Sequence, residues 1–171
     1  SNRSDMTDDL TPDAISELAS GYVDDELTAD EIEAAVTVAA DLGITKVKLT
    51  GGEPLLREDI VEIVRRIAPH VEEVSMTTNA SLLDEKACSL KEAGLCRVNV
   101  SLHTLNPGGF KEITGCSDEA LVRRGVEAAL RCGLHPVKLN MVVMKGLNND
   151  EIPQMITFSR DTGTVLQLIE F

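Results

Sequence analysis

The run Thr50-Gly51-Gly52-Glu53-Pro54-Leu55-Leu56-Arg57 places two glycines and a carboxylate directly behind the β-rich stretch Lys46-Val47-Lys48-Leu49-Thr50. Glycine has no Cβ, so a ligand can lie against bare backbone at Gly51 and Gly52, whose N–H and C=O groups suit the carboxylate and amine of an amino-acid-like molecule. Glu53 would balance the positive charge of such a ligand. On composition alone the same turn also reads as a tight connection with no ligand. Other polar residues close later β-rich runs: Thr77 with Thr78, Ser101, and Lys138 with Asn140. A lysine meets a phosphate as a point charge, and a threonine hydroxyl both donates and accepts. The competing readings make Lys48 and Lys138 solvent-facing charges, make Thr77 and Ser101 partners of nearby backbone, or give a lysine Schiff-base chemistry. Cys88, Cys96, Cys116 and Cys132 have neither CxxC nor CxxxCxxC spacing, so they read as reduced thiols and not as metal ligands. His70 and His135 fall at element junctions and read as surface residues.

The elements that must carry these residues recur as helix, glycine and short β-rich run. Gly43, Gly94, Gly133 and Gly163 each precede such a run, starting near Lys46, Arg97, Val137 and Leu166, and each suits the closing turn of a helix. A further strand is expected over Val71 to Thr77. Helix starts are expected at the capping box Thr28-Ala29-Asp30-Glu31 and at Asp84, Asn106 with Pro107, Ser117 and Asn149. Five strands alternating with helices imply an α/β fold with a parallel sheet, either doubly wound or a section of a barrel. Polar residues at most strand ends favour the barrel, where those ends ring one pocket. Residues 1–26, with one helical signal after Thr11-Pro12, form a lead-in segment, and residues 27–171 form one domain.

With 171 residues, 43% of them hydrophobic, the chain can bury a single core. Twenty-nine acidic against 16 basic side chains give a net charge of -13, which argues against nucleic acid or an anionic membrane as partner and requires a local basic pocket for any phosphate ligand. No apolar run approaches the roughly 20 residues of a membrane span, and the first residues have no signal-peptide pattern, so a cytoplasmic protein is expected.

Taken in order, Lys46-Val47-Lys48-Leu49, Thr50-Gly51-Gly52-Glu53-Pro54-Leu55-Leu56-Arg57, Met76-Thr77-Thr78-Asn79, Arg97-Val98-Asn99-Val100-Ser101-Leu102, Val137-Lys138-Leu139-Asn140-Met141, Gly146-Leu147-Asn148-Asn149-Asp150-Glu151 and Ile169-Glu170-Phe171 resemble the radical S-adenosylmethionine (SAM) superfamily. Within it they are most similar to the GTP 3′,8-cyclase family of molybdenum cofactor biosynthesis. The resemblance implies a partial, open βα barrel of about five parallel strands with flanking helices. It implies that Gly51, Gly52, Glu53 and Ser101 serve SAM and that Lys48, Thr77 and Lys138 serve GTP. It also implies a 4Fe-4S cluster that cleaves SAM to a radical, but the CxxxCxxC loop that would hold the cluster is missing from this sequence. The chain alone is therefore expected to be inactive. His103 stands where the family often has an acidic residue and reads as a strand-end substitution. Ala80 replaces a usual glycine. A five-strand section leaves two edges open, so self-association is expected. The alternatives are a non-catalytic SAM- or nucleotide-binding module, or a radical SAM enzyme with another substrate.

Overall fold

The computed structural model describes residues 27–114 and 119–170. The first helix, α1 (Ala29–Asp41), starts where its capping box requires, with the Thr28 N–H donating to the Glu31 carboxylate at 2.7 Å. Strand β1 (Lys46–Leu49) follows, then a 3-10 turn at Pro54–Leu56, α2 (Ile60–Ile67), β2 (Glu73–Thr78) and α3 (Leu83–Ala93). Strand β3 (Arg97–Ser101) leads into α4 (Pro107–Thr114) and α5 (Glu119–Arg131), and the described chain ends with β4 (Val137–Val143), α6 (Ile152–Thr162) and β5 (Val165–Glu170). Glycines end the helices as the sequence pattern requires. Gly94 has φ 110°, and a Cβ there would stand 2.5 Å from the Cβ of Ala68, so both backbone shape and space demand glycine.

All five strands pair in parallel in the order β1-β2-β3-β4-β5. A doubly wound sheet reverses its strand order at a switch point, and this one never does. Because each crossover is right-handed and steps the same way, the helices after β1 collect on one face of the sheet. No described helix covers the other face, which is the geometry of a barrel section and matches the fold expected from the sequence.

One core fills the space between the sheet and its helices. Val74, Met76, Val98, Val100, Leu139 and Met141 come from the strands, and Ile63, Ile67, Leu83, Leu90, Val126 and Ala129 from the helices, all at most 1% exposed. Gly125 lets α5 approach this core closely. A Cβ there would lie 2.3 Å from the Ala80 carbonyl oxygen. Ala80 itself is buried with φ 62°, a left-handed backbone that a glycine would adopt without the strain of a side chain.

Three local expectations are corrected. Asp84 does not cap α3, which begins at Leu83 without a side-chain cap; Asp84 instead faces Arg124 and Arg131 of α5 at 3.6 and 3.8 Å. Asn149 opens a 3-10 turn ahead of α6 and accepts from the Gly146 N–H at 2.6 Å. Ser117 lies outside the described residues, whereas Asn106 caps α4 through the Gly108 N–H at 2.9 Å. The third correction concerns the thiols. Cys88 on α3 and Cys132 just past α5 form a disulfide, with their Cα atoms 4.9 Å apart. Their 44-residue separation hid this, because only the packing of α3 on α5 brings them together. Cys96 is a free thiol, and Cys116 lies outside the described residues.

Closing a loop of 44 residues removes chain entropy from the unfolded state, worth roughly 4 kcal/mol in the chain-entropy account. Urea unfolding followed with and without reductant is expected to show a loss approaching that size, and Cys88→Ala is expected to abolish the response to reductant.

Candidate functional site

Alternation along a strand sends successive side chains to opposite faces, so the register sorts every strand residue onto the helix-covered face or the bare one. Val47, Leu49, Val74, Met76, Val98, Val100, Leu139 and Met141 belong to the covered face. On the bare face Lys48, Ser75 and Arg97 share one row, Thr77, Asn99 and Lys138 the next, and Ser101, Asn140 and Gln167 the next. Lys48, Thr77, Ser101 and Lys138, the four strand residues singled out in the sequence, thus lie on a common face. Thr77 and Lys138 sit in one row two strands apart, roughly 10 Å at backbone level. Lys138 lies well inside β4, yet the stagger of the strands brings its row level with the residue that follows β1.

The diglycine turn leaves β1 at that level. Gly51 and Gly52 are exposed, and Gly51 has φ 149°, a value that side chains avoid. Glu53 is not directed to solvent. Its carboxylate accepts from the Leu55 N–H at 3.0 Å, the Thr78 hydroxyl at 2.6 Å and the Asn79 N–H at 2.6 Å. Thr78 Oγ1 accepts in turn from the Ala80 N–H at 2.9 Å. The turn is further held by Lys86 of α3, whose Nζ donates to the Leu55 and Arg57 carbonyls at 2.8 and 3.2 Å, and by fully buried Leu55. Arg57 pairs with Asp59 at 2.9 Å, and the bonds it donates hold the Asp59 carboxyl below the usual carboxylate range.

The same device recurs beyond β3. Glu151, at the start of α6, accepts from the Thr104 hydroxyl at 2.7 Å and the Leu105 N–H at 2.9 Å, while Thr104 Oγ1 accepts from the Asn106 N–H at 3.0 Å. In both latches a carboxylate holds a threonine hydroxyl and the next backbone N–H of a strand-end loop contributed by another strand. Nearby, buried Asn148 donates to the carbonyls of His103 and Val142, both at 2.8 Å, and accepts from the Met144 N–H at 2.7 Å. His103 Nδ1 accepts from the Val142 N–H at 3.2 Å, and burial pushes its pKa down. His103 thus braces the loop after β3 against β4.

Sequence reasoning missed several parts of this arrangement. Lys86, Glu151 and Thr104 act as loop fasteners, and Arg97 binds Glu73 and Asn99 across the bare face at 2.9 and 3.0 Å. Only period-2 alternation could have flagged Arg97 and Asn99, as polar residues in a strand whose other positions are apolar. A groove of about 870 Å³ lies past the ends of β4 and β5, lined by Val143, Met144, Leu147 and Leu168 among others; none of Lys48, Gly51, Gly52, Glu53, Thr77, Ser101 and Lys138 lines it. Among the described residues no three metal-ligating side chains come together. With Cys88 and Cys132 joined and Cys96 alone, the described cysteines do not fit an iron–sulfur cluster.

Sequential parallel strands with one bare face of polar strand residues define a βα-barrel section of the radical SAM type. The sequence pattern of the radical SAM superfamily matches residues 10–159, and the chain belongs to that superfamily. A probable GTP 3′,8-cyclase of Thermococcus kodakarensis is 59% identical over 145 residues, covering 85% of this chain and 47% of that protein. The GTP 3′,8-cyclase of Listeria monocytogenes is 47% identical over 147 residues, covering 85% and 44%. The chain thus spans about half the length of these relatives. Among solved structures, Streptococcus suis SuiB shares the fold at a TM-score of 0.69 and 21% identity, over 85% of this chain and 34% of that one. Escherichia coli coproporphyrinogen III oxidase, a radical SAM enzyme, does so at 0.65 and 12%, over 91% and 38%.

Glu53→Gln and Glu151→Gln each put an amide NH₂ where a carboxylate oxygen accepted a donor, and a buried donor left unmatched costs about 1–3 kcal/mol. Each substitution is expected to lower stability by that amount in urea titrations and to speed amide exchange at Asn79 or Leu105. His103 gives a pH dependence of definite sign. Its native pKa lies below the ordinary value of 6.5, so between the two the unfolded chain holds the extra proton. The contribution is complete above about 6.5 and is lost as pH falls through that window. Unfolding curves between pH 7.5 and 5 are expected to show this loss, and His103→Asn, which offers Oδ1 in place of Nδ1, to remove it.

Proposed function

We propose that this chain is the SAM- and GTP-facing section of a radical SAM GTP 3′,8-cyclase, which in the complete protein converts GTP to 3′,8-cyclo-GTP for molybdenum cofactor biosynthesis. What supports this reading is the common face shared by Lys48, Thr77, Ser101 and Lys138, together with relatives named for that activity. In it, the exposed backbone of Gly51 and Gly52 pairs with the methionine amine and carboxylate of SAM, and the Ser101 hydroxyl bonds the same ligand. Glu53 holds the turn in shape through its latch and adds negative charge beside the amine. Lys48 and Lys138 meet the triphosphate as point charges from two strands, and Thr77 bonds the nucleotide between them. The complete protein takes SAM and a 4Fe-4S cluster as cofactors. That cluster would supply the reducing electron in the complete protein, and this chain, whose sequence contains no CxxxCxxC run, is inactive alone. It works in the cytoplasm, and the exposed apolar residues Val165, Leu168 and Ile169 of edge strand β5 favour self-association.

Calorimetric titration with GTP and SAM tests the reading. A charged hydrogen bond contributes about 1.5–3 kcal/mol, so Lys138→Ala is expected to weaken GTP roughly tenfold or more while leaving SAM within about twofold, and Ser101→Ala to do the reverse. Binding of neither ligand by the chain, or trapping of a carbonyl substrate on Lys48 or Lys138 by borohydride, would overturn it.

A further inference from the structure

The 3-10 turn behind the diglycine pair is gripped at both ends, by groups of opposite charge. At its start the Glu53 carboxylate accepts from the Leu55 N–H at 3.0 Å and is itself tied to Thr78 and Asn79 at the end of β2. Within the turn the carbonyls of Glu53 and Pro54 accept from the N–H groups of Leu56 and Arg57 at 3.1 and 3.2 Å. The Leu55 carbonyl lies past the last of these bonds, where a helical turn leaves its acceptors unmet and a lysine can satisfy them. Lys86 does so from the first turn of α3, its ammonium donating to the Leu55 and Arg57 carbonyls at 2.8 and 3.2 Å. Lysine is among the side chains that lose most freedom on being ordered and are least often buried. A half-buried lysine set between two carbonyls 31 and 29 residues away in the chain is therefore a specific arrangement.

Resting on the SAM-binding reading above, we infer that Lys86 is a positioning residue for the amino-acid end of the ligand, acting through the diglycine backbone. The strand ladder fixes the chain as far as Leu49, which pairs with Met76, and the two grips fix it again from Glu53 onward. Only Thr50, Gly51 and Gly52 lie between, and two residues without side chains take the direction that their anchors impose. Held by Glu53 alone, the turn could pivot about its start. Lys86 ties its far end to α3 and removes that freedom, so the exposed N–H and C=O groups of Gly51 and Gly52 keep one orientation toward a ligand. Lys48, Thr77 and Lys138 belong to paired strands, which the ladder holds whatever the turn does. The effect of Lys86 is thereby confined to the SAM side of the face.

The test compares Lys86→Met, which keeps an unbranched side chain and removes the ammonium, with Lys86→Arg, which keeps the charge and its N–H donors. Cys88→Ala is the reference, because it loosens the packing of α3 on α5 and leaves both grips on the turn in place. Calorimetric titrations with SAM and with GTP, urea midpoints, and amide exchange at Gly51 and Gly52 in the unliganded chain are the readouts. Lys86→Met is expected to weaken SAM about fivefold or more, to leave GTP within about twofold and to speed exchange at both glycines. Lys86→Arg is expected to recover most of the SAM loss, and Cys88→Ala to keep SAM within about twofold despite its lower midpoint. Unchanged SAM affinity in Lys86→Met overturns the inference while leaving the binding reading intact. So does a parallel loss of SAM and GTP, no recovery in Lys86→Arg, or a SAM loss in Cys88→Ala as large as in Lys86→Met, since each reduces Lys86 to a fastener of the fold. Should Lys86→Met not fold, Lys86→Gln decides: weaker SAM with unchanged GTP supports the inference, and unchanged SAM refutes it. If the parent chain binds neither ligand, the binding reading falls and the inference falls with it.

Discussion

Right-handed crossovers taken always in one direction are the constraint from which the rest of this structure follows. They put the described helices after β1 on a single face of the sheet, so strands β1 to β4 have an apolar side in the core and a side that no described helix covers. That second side carries polar residues in three rows, Lys48, Ser75 and Arg97, then Thr77, Asn99 and Lys138, then Ser101, Asn140 and Gln167, while Val165 extends the middle row and Val142 with Ile169 forms a further, apolar row. Had the strand order reversed once, helices would cover both faces and these residues would face an apolar layer. The same topology therefore produces the core and the candidate site.

Carboxylates then turn a row of strand ends into a shaped mouth. Loops at strand ends are where backbone groups go unpaired, and here Glu53 and Glu151 each gather a threonine hydroxyl and a backbone N–H from a different loop. Charge-assisted bonds are stronger than neutral ones, so two carboxylates suffice to fix these loop segments. The arrangement also changes how Glu53 is understood. Its position in a glycine turn suggested a partner for a ligand's positive charge, whereas three protein donors already occupy most of its acceptor capacity. Its work within the protein is to hold the exposed glycine backbone in place.

The alternation of helix, glycine and β-rich run was enough to read five parallel strands, and the strand bounds agree to within about two residues. The capping box at Thr28 and the Asn106 cap were legible for the same reason, since each satisfies local backbone donors with a neighbour in sequence. Asp84 misled because an acidic residue in a first turn serves a cap or a partner on another helix equally well, and only the packing of α3 on α5 chose the latter. The Cys88–Cys132 bridge escaped for a similar reason: spacing rules detect cysteines that converge through a turn, not across 44 residues. Lys86 carried no motif, and the motif that contains Asn148 and Glu151 gave no sign of their roles, because the partners of all three lie on segments distant in the chain.

By itself the sequence determined the class of fold, the position of the glycine turn and which strands carry polar residues near their ends. These depend on periodicity and local backbone chemistry, which are written residue by residue. Tertiary structure alone decided that Lys48, Thr77, Ser101 and Lys138 share a face, that Glu53 is a latch, and that Lys86 grips the same turn from α3. Register, stagger and burial are properties of strands brought together from far apart in the chain, and no single stretch of sequence contains them.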